Sequence, residues 1–161
     1  MSREIKFRGW DKYDKKMIYD LCQVDSFWHY YSYSDDTGLH FGKTGPNGVG
    51  EDFENKYIMQ YTGLKDKNNK EIYEGDILQE ENGDLDVCLY LEVVASYGFV
   101  PIEIYMYNYK EQGENINELS LVEEMYKEYD IQCFPRNLTP RDYLEVIGNI
   151  YENPELLEVD K

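Results

Sequence analysis

The dipeptide Asn82-Gly83 constrains this fold more than any other pair of residues in the sequence. A two-residue hairpin turn needs positive φ at its centre, which Asn and Gly supply at the least steric cost. Downstream, Val87, Leu89, Leu91 and Val93 alternate with Cys88, Tyr90 and Glu92, which is the period of a strand. Upstream, Glu71-Ile72-Tyr73-Glu74-Gly75-Asp76-Ile77-Leu78 reads as a strand with a bulge expected at Gly75. The turn therefore joins antiparallel strands.

The same pattern recurs along the chain. Ile5 and Phe7 alternate with Lys6 and Arg8, and Trp10 closes that strand. Asp11 to Lys16 then supply a polar turn before Met17-Ile18-Tyr19. Tyr57-Ile58-Met59-Gln60-Tyr61 is a strand ending near Gly63. It is followed by a turn over Lys65-Asp66-Lys67-Asn68-Asn69-Lys70, where Asn tolerates positive φ. Further strands are expected from Phe99 through Ile102 and Ile104 to Tyr107, and over residues 145–151.

Helical patterns are fewer. Leu119, Val122, Met125, Tyr126 and Tyr129 form an apolar stripe over about 118–130, with Asn117 or Ser120 and Glu123 to cap it. Thr139-Pro140 and Asn153-Pro154 open shorter turns. The expected class is mainly β, or α+β: an antiparallel, barrel-like or curled sheet with one substantial helix. A length of 161 residues fits a single domain over 1–161. Residues 34–55, with Asp35, Asp36, Pro46, Asn47 and several glycines, are expected to form its mobile loop.

The charge limits what such a domain binds. The net charge is −17. Residues 1–62 contribute −2 of it and residues 63–161 contribute −15. Within 71–130 only Lys110 and Lys127 are basic. That field repels phosphate backbones and attracts basic proteins, so ordinary nucleic-acid binding is disfavoured. No apolar run approaches the ~20 residues that span a bilayer, and the N-terminus lacks the apolar centre of a signal peptide. Three separate cysteines, Cys22, Cys88 and Cys133, suit a reducing compartment. Cytoplasm is the expected location.

Familiar motifs fail on inspection. Gly42-Lys43-Thr44 suggests a phosphate loop, but Thr37 stands where that motif needs glycine, and Gly45-Pro46-Asn47-Gly48 cannot open the required helix. Asp66-Lys67-Asn68-Asn69-Lys70-Glu71 starts like a calcium loop, yet Lys70, Glu71 and Ile77 occupy three of its critical positions. Cys22, His29 and His40 match no standard metal spacing. No nucleophile motif is present. The sequence assigns no catalytic, cofactor or metal residue.

The run Phe27-Trp28-His29-Tyr30-Tyr31-Ser32-Tyr33 is left. At strand period Phe27, His29, Tyr31 and Tyr33 share one face, and Trp28 and Tyr30 the other. Core packing is the default reading. The alternative is an exposed platform, which makes Trp28, Tyr30, Tyr31 and Tyr33 the candidate partner-binding residues. Few basic residues lie nearby to favour nucleic acid, so the platform suits a protein.

Three stretches resemble the YopX family: Lys6-Phe7-Arg8-Gly9-Trp10-Asp11 with Lys16-Met17-Ile18-Tyr19, Gln60 to Asp66 with Lys70 to Ile77, and Val146 to Leu157. They lie at the beginning, middle and end of the chain. Asn68-Asn69 replaces the Asn-Gly common in the family's central turn. The resemblance implies a β-rich fold and an origin in phages and prophages of Gram-positive bacteria. It implies no activity, cofactor or catalytic residue, and the matching residues read as turns, strand starts and a helix cap.

The expected function is that of an accessory protein that binds another protein through an acidic or aromatic surface, the acidic field favouring a basic partner. A sharper form is nucleic-acid mimicry by the carboxylates of 71–130. The alternatives are a small nucleic-acid-binding barrel using Arg3, Lys6, Arg8, Lys12, Lys15 and Lys16, and an enzyme of unrecognised type. Self-association is compatible with all of these.

Overall fold

Antiparallel pairing dominates the computed structural model, which describes residues 4–21, 29–36, 38–45, 47–48, 50–53, 57–91, 95–106 and 143–158. Its contacts gather into two compact units, Met1–Tyr61 and Thr62–Lys161. Mainly β structure with a small helical content is the observed class. Among the described residues no helix is long and apolar enough to cross a membrane.

In the first unit β1 (Phe7–Asp11) pairs with β2 (Lys16–Ile18) and with the start of β6 (Ile58–Lys65). The β1–β2 turn is shaped by Asp11, whose Oδ1 accepts the N–H groups of Tyr13 and Asp14, each at 3.0 Å. Ile5 is exposed and Arg8 buried, the reverse of the expected alternation. A second group of strands, β3 (His29–Asp35), β4 (Gly38–Thr44) and β5 (Gly50–Phe53), pairs in that order. Ile18, Leu21, Tyr30 and Phe41 form the unit's core.

Residues 34–55 were expected to form a loop, but β4 and β5 run through them. The strand signal is hidden because one inward position of β4 is Lys43, buried by ion pairing, and because Gly42 replaces an outward side chain. A Cβ at Gly42 would lie 2.6 Å from the Tyr31 hydroxyl, so glycine leaves room for the facing tyrosine.

In the second unit β8 (Asp76–Gln79), β9 (Leu85–Leu91), β10 (Ser96–Pro101) and β11 (Glu145–Asn149) form a sheet ordered β10-β9-β8-β11. Alternate residues of β9 enter two cores. Cys88 packs with Ile72, Leu78, Tyr97, Phe99, Leu144 and Val146. Val87 and Leu91 pack with Val100, Ile102 and Tyr105. The far part of β6 turns into β7 (Glu71–Tyr73), and Thr62 Oγ1 donates to the Ile72 carbonyl at 2.8 Å.

Several boundaries differ from expectation. The bulge at Gly75 is instead a turn dividing β7 from β8, with Gly75 at φ 77°. The strand from Phe99 stops at Pro101, and residues 102–106 are helical. Proline opens a helix well, and Ile102, Tyr105 and Met106 recur at helical spacing toward one core. Asn153 precedes the 3-10 turn Pro154–Leu157 without capping it by its side chain. Its Oδ1 instead accepts the Asn149 N–H at 3.4 Å. The expected helix at 118–130 and the turn at Thr139-Pro140 lie outside the described residues.

The turns of the second unit are built on buried polar side chains. Asp66 Oδ1 accepts the N–H groups of Asn68 and Lys70, and Oδ2 that of Val146. Both carboxylate oxygens thus serve the hairpin and β11, as the turn reading of these residues requires. Asn69 takes φ 65°. Asp76 Oδ2 accepts the Tyr73 N–H at 2.7 Å, and Asn149 Oδ1 accepts those of Tyr151 and Glu152.

Candidate functional site

The β3–β4 pair has two unlike faces because its residues alternate across the sheet. Tyr30 and Lys43 are Cα partners turned inward, while the Tyr31–Gly42 and Tyr33–His40 pairs turn outward. The inner face carries charge. Lys43 Nζ lies 2.8 Å from Asp11 Oδ2, 3.0 Å from Asp14 Oδ2 and 3.8 Å from Glu51 Oε2. The Tyr30 hydroxyl donates to the same Asp11 oxygen at 2.9 Å.

These contacts set the ionisation of the cluster. Burial works to raise the Asp11 pKa, but the Lys43 ammonium, the turn N–H groups and the Tyr30 hydroxyl together hold it below the ordinary value. Burial works to lower the Lys43 pKa, and its hydrogen bonds to Asp11 and Asp14 override that and raise it. A lysine held fully charged is a poor nucleophile, so this cluster is a clamp for the sheet.

The outer face carries rings. Tyr33 stacks on His40 with centroids 4.7 Å apart and planes 9° apart, and Tyr31 follows at 6.3 Å from Tyr33. His40 Nε2 lies 3.0 Å from Asp35 Oδ1, which fixes the imidazole. Tyr33 is 44% exposed. Asp35 and Asp36 add negative charge beside the rings.

Of the four candidate residues, the structure brings Tyr31 and Tyr33 together on this face. Tyr30 is corrected: it is 3% exposed and stacks on Phe41 at 5.9 Å, so it belongs to the core. Trp28 lies outside the described residues. Sequence reading missed His40 and Asp35 because both were placed in a loop; the strand period running 33, 35 opposite 38, 40 was the available signal.

Of the basic residues near the N-terminus, Lys15 is exposed and Arg3 lies outside the described residues. Arg8 is buried. Lys6 lies over the Tyr61 ring, Lys12 over Tyr13 and Tyr57, and Lys16 over Tyr30. Gly42-Lys43-Thr44 is part of β4. Among the described residues no group of three or more His, Cys, Asp or Glu side chains is placed to hold a metal ion.

The fold thus defines a mainly β protein with turns pinned by buried carboxylates and one ring-covered sheet face. The chain belongs to the YopX family, described as YopX protein, which matches it over residues 6–158. The crystal structure of protein EF1440 from Enterococcus faecalis is similar to it: 26% identical, covering 98% of this chain and 100% of that one, with a TM-score of 0.49. No curated protein matches the chain.

Proposed function

We propose that this is a phage- or prophage-encoded accessory protein that acts in the bacterial cytoplasm by binding a basic protein through the outer face of β3 and β4. The observation that carries the reading is the exposed Tyr33 ring, stacked on His40 and bordered by Asp35 and Asp36. Exposed stacked rings on a rigid strand pair lose little entropy on binding, and tyrosine is enriched where interfaces concentrate their energy. The net charge of −17 steers a basic partner and repels phosphate. Binding rather than catalysis fits a face whose imidazole is already paired with Asp35.

The test is capture from nuclease-treated lysate of a Gram-positive bacterium by the tagged full chain and by Tyr33→Ser, with the captured partner purified and re-bound. Loss of at least about tenfold in affinity with Tyr33→Ser, at unchanged melting temperature, supports the reading. Equal binding by both proteins, or binding that does not weaken with salt, overturns it.

A further inference from the structure

The hairpin closed by Asn82-Gly83 gathers carboxylates on one face. Asp86 is the Cα partner of Leu78 on β8 and of Pro101 on β10. The Glu80 N–H donates to the Asp84 carbonyl at 2.9 Å, so those two residues face each other one step nearer the turn. Strand alternation then puts Glu80, Asp84 and Asp86 on the same face. Glu103 lies two residues beyond Pro101, close enough for its charge to act on Asp86.

Asp86 is 8% exposed. Among the described residues nothing donates a hydrogen bond or an ion pair to its carboxylate, in contrast to the more deeply buried Asp11, Asp66 and Asp76. Burial, with Glu80, Asp84 and Glu103 adding to it, pushes its pKa up to about 7. A buried acid facing three others without a cation is unfavourable for the fold alone.

We propose that Asp86, with Glu80, Asp84 and Glu103, is a receptor for one basic side chain, arginine or lysine, presented by a protein partner. Charge complementarity selects the occupant, since residues 71–130 contain only Lys110 and Lys127 as basic residues. A guanidinium or ammonium carries several donors on a long stem, and among the described residues no group of three or more acids is placed to hold a metal ion. The site shares with the aromatic face only the basic character of the partner. It is tested with a peptide alone, so the two readings fail separately.

The probe is a tetra-arginine peptide amide titrated calorimetrically into the full chain at pH 6 and pH 8. Cation binding favours ionised Asp86, so wild type is expected to bind roughly tenfold more tightly at pH 8. Asp86→Asn, which removes a repelled charge and so keeps the fold, is expected to lose about tenfold at pH 8 along with the pH dependence. Glu103→Gln should fall between the two. Glu158→Gln, the same charge change on an exposed acid elsewhere, should match wild type. Equal binding by Asp86→Asn and Glu158→Gln overturns the proposal. Displacement of the peptide by micromolar magnesium also overturns it, assigning the acids to a metal ion instead.

Discussion

Lys43 Nζ stands 2.8 Å from Asp11 Oδ2 although only 1% and 0% of the two side chains are exposed. The pair ties β4 to the β1–β2 turn and so holds the plane on which Tyr33 and His40 stack. Removing one member strands the other in a low-dielectric interior. Lys43→Met is therefore expected to cost about 3–5 kcal/mol, read by urea unfolding at pH 7. A loss below ~1 kcal/mol would show that water reaches Asp11 freely.

The same pair sets limits at both ends of the pH scale. Asp11 has a folded pKa below its unfolded one, so its stabilisation is complete above about pH 4 and is lost as pH falls through the folded value. Lys43 has a raised folded pKa, so its contribution is complete below about pH 10, the unfolded value, and is lost as pH rises through the higher folded one. Melting of wild type should fall at both extremes, and Lys43→Met should lose the alkaline drop that Lys43 causes. An unchanged alkaline limb in the variant would sink this assignment.

Asp66 links the β6–β7 hairpin to β11 through three N–H bonds. Asp66→Ala leaves the Val146 N–H without its acceptor in a buried position and is expected to cost about 2–4 kcal/mol. Asp66→Asn keeps one acceptor oxygen and should cost less. Equal losses in denaturant midpoints would mean that the carboxylate acts only by filling space.

These sites explain what was legible in the sequence. Asn68-Asn69 and Asn82-Gly83 announce their turns because local backbone conformation decides them, and Asn69 and Gly83 do take positive φ, 65° and 98°. β4 was illegible because tertiary contacts decide it: Lys43 is held inward by Asp11, 32 residues earlier, and by Asp14. The helical residues 102–106 were illegible for another reason, since Ile102 and Ile104 satisfy strand alternation while Ile102, Tyr105 and Met106 satisfy the helix period. Of the ring-covered face, Tyr31 and Tyr33 were legible as one side of a strand. Tyr30 became core because Phe41 and Asp11 take up its ring and hydroxyl.

Gly9 shows how closely β1 approaches the first unit's core. A Cβ there would sit 2.6 Å from Phe41 Cε1 and 3.0 Å from Leu21 Cδ2. The Phe41 ring is fully buried and cannot swing aside without opening the core. Gly9→Ala should cost about 1–3 kcal/mol by overpacking, whereas the usual effect of the change in a strand is stabilising. A neutral or higher melting temperature would contradict the close approach.

Asp86 makes a prediction of the opposite sign to Asp11. Its folded pKa, about 7, is raised above the unfolded carboxylate value by burial and by Glu80, Asp84 and Glu103. The folded state therefore holds its proton more tightly than the unfolded chain. Stability associated with this group is complete below about pH 4, declines as pH rises, and is fully lost above pH 7. Asp86→Asn carries no charge to repel and escapes the decline. At pH 8 it should be more stable than wild type by a few kcal/mol, and the advantage should shrink steadily as the pH is lowered to 5.5. Paired urea titrations across that range measure it. An advantage that does not vary with pH would mean that Asn gains from a new hydrogen bond and that Asp86 is not held against its charge.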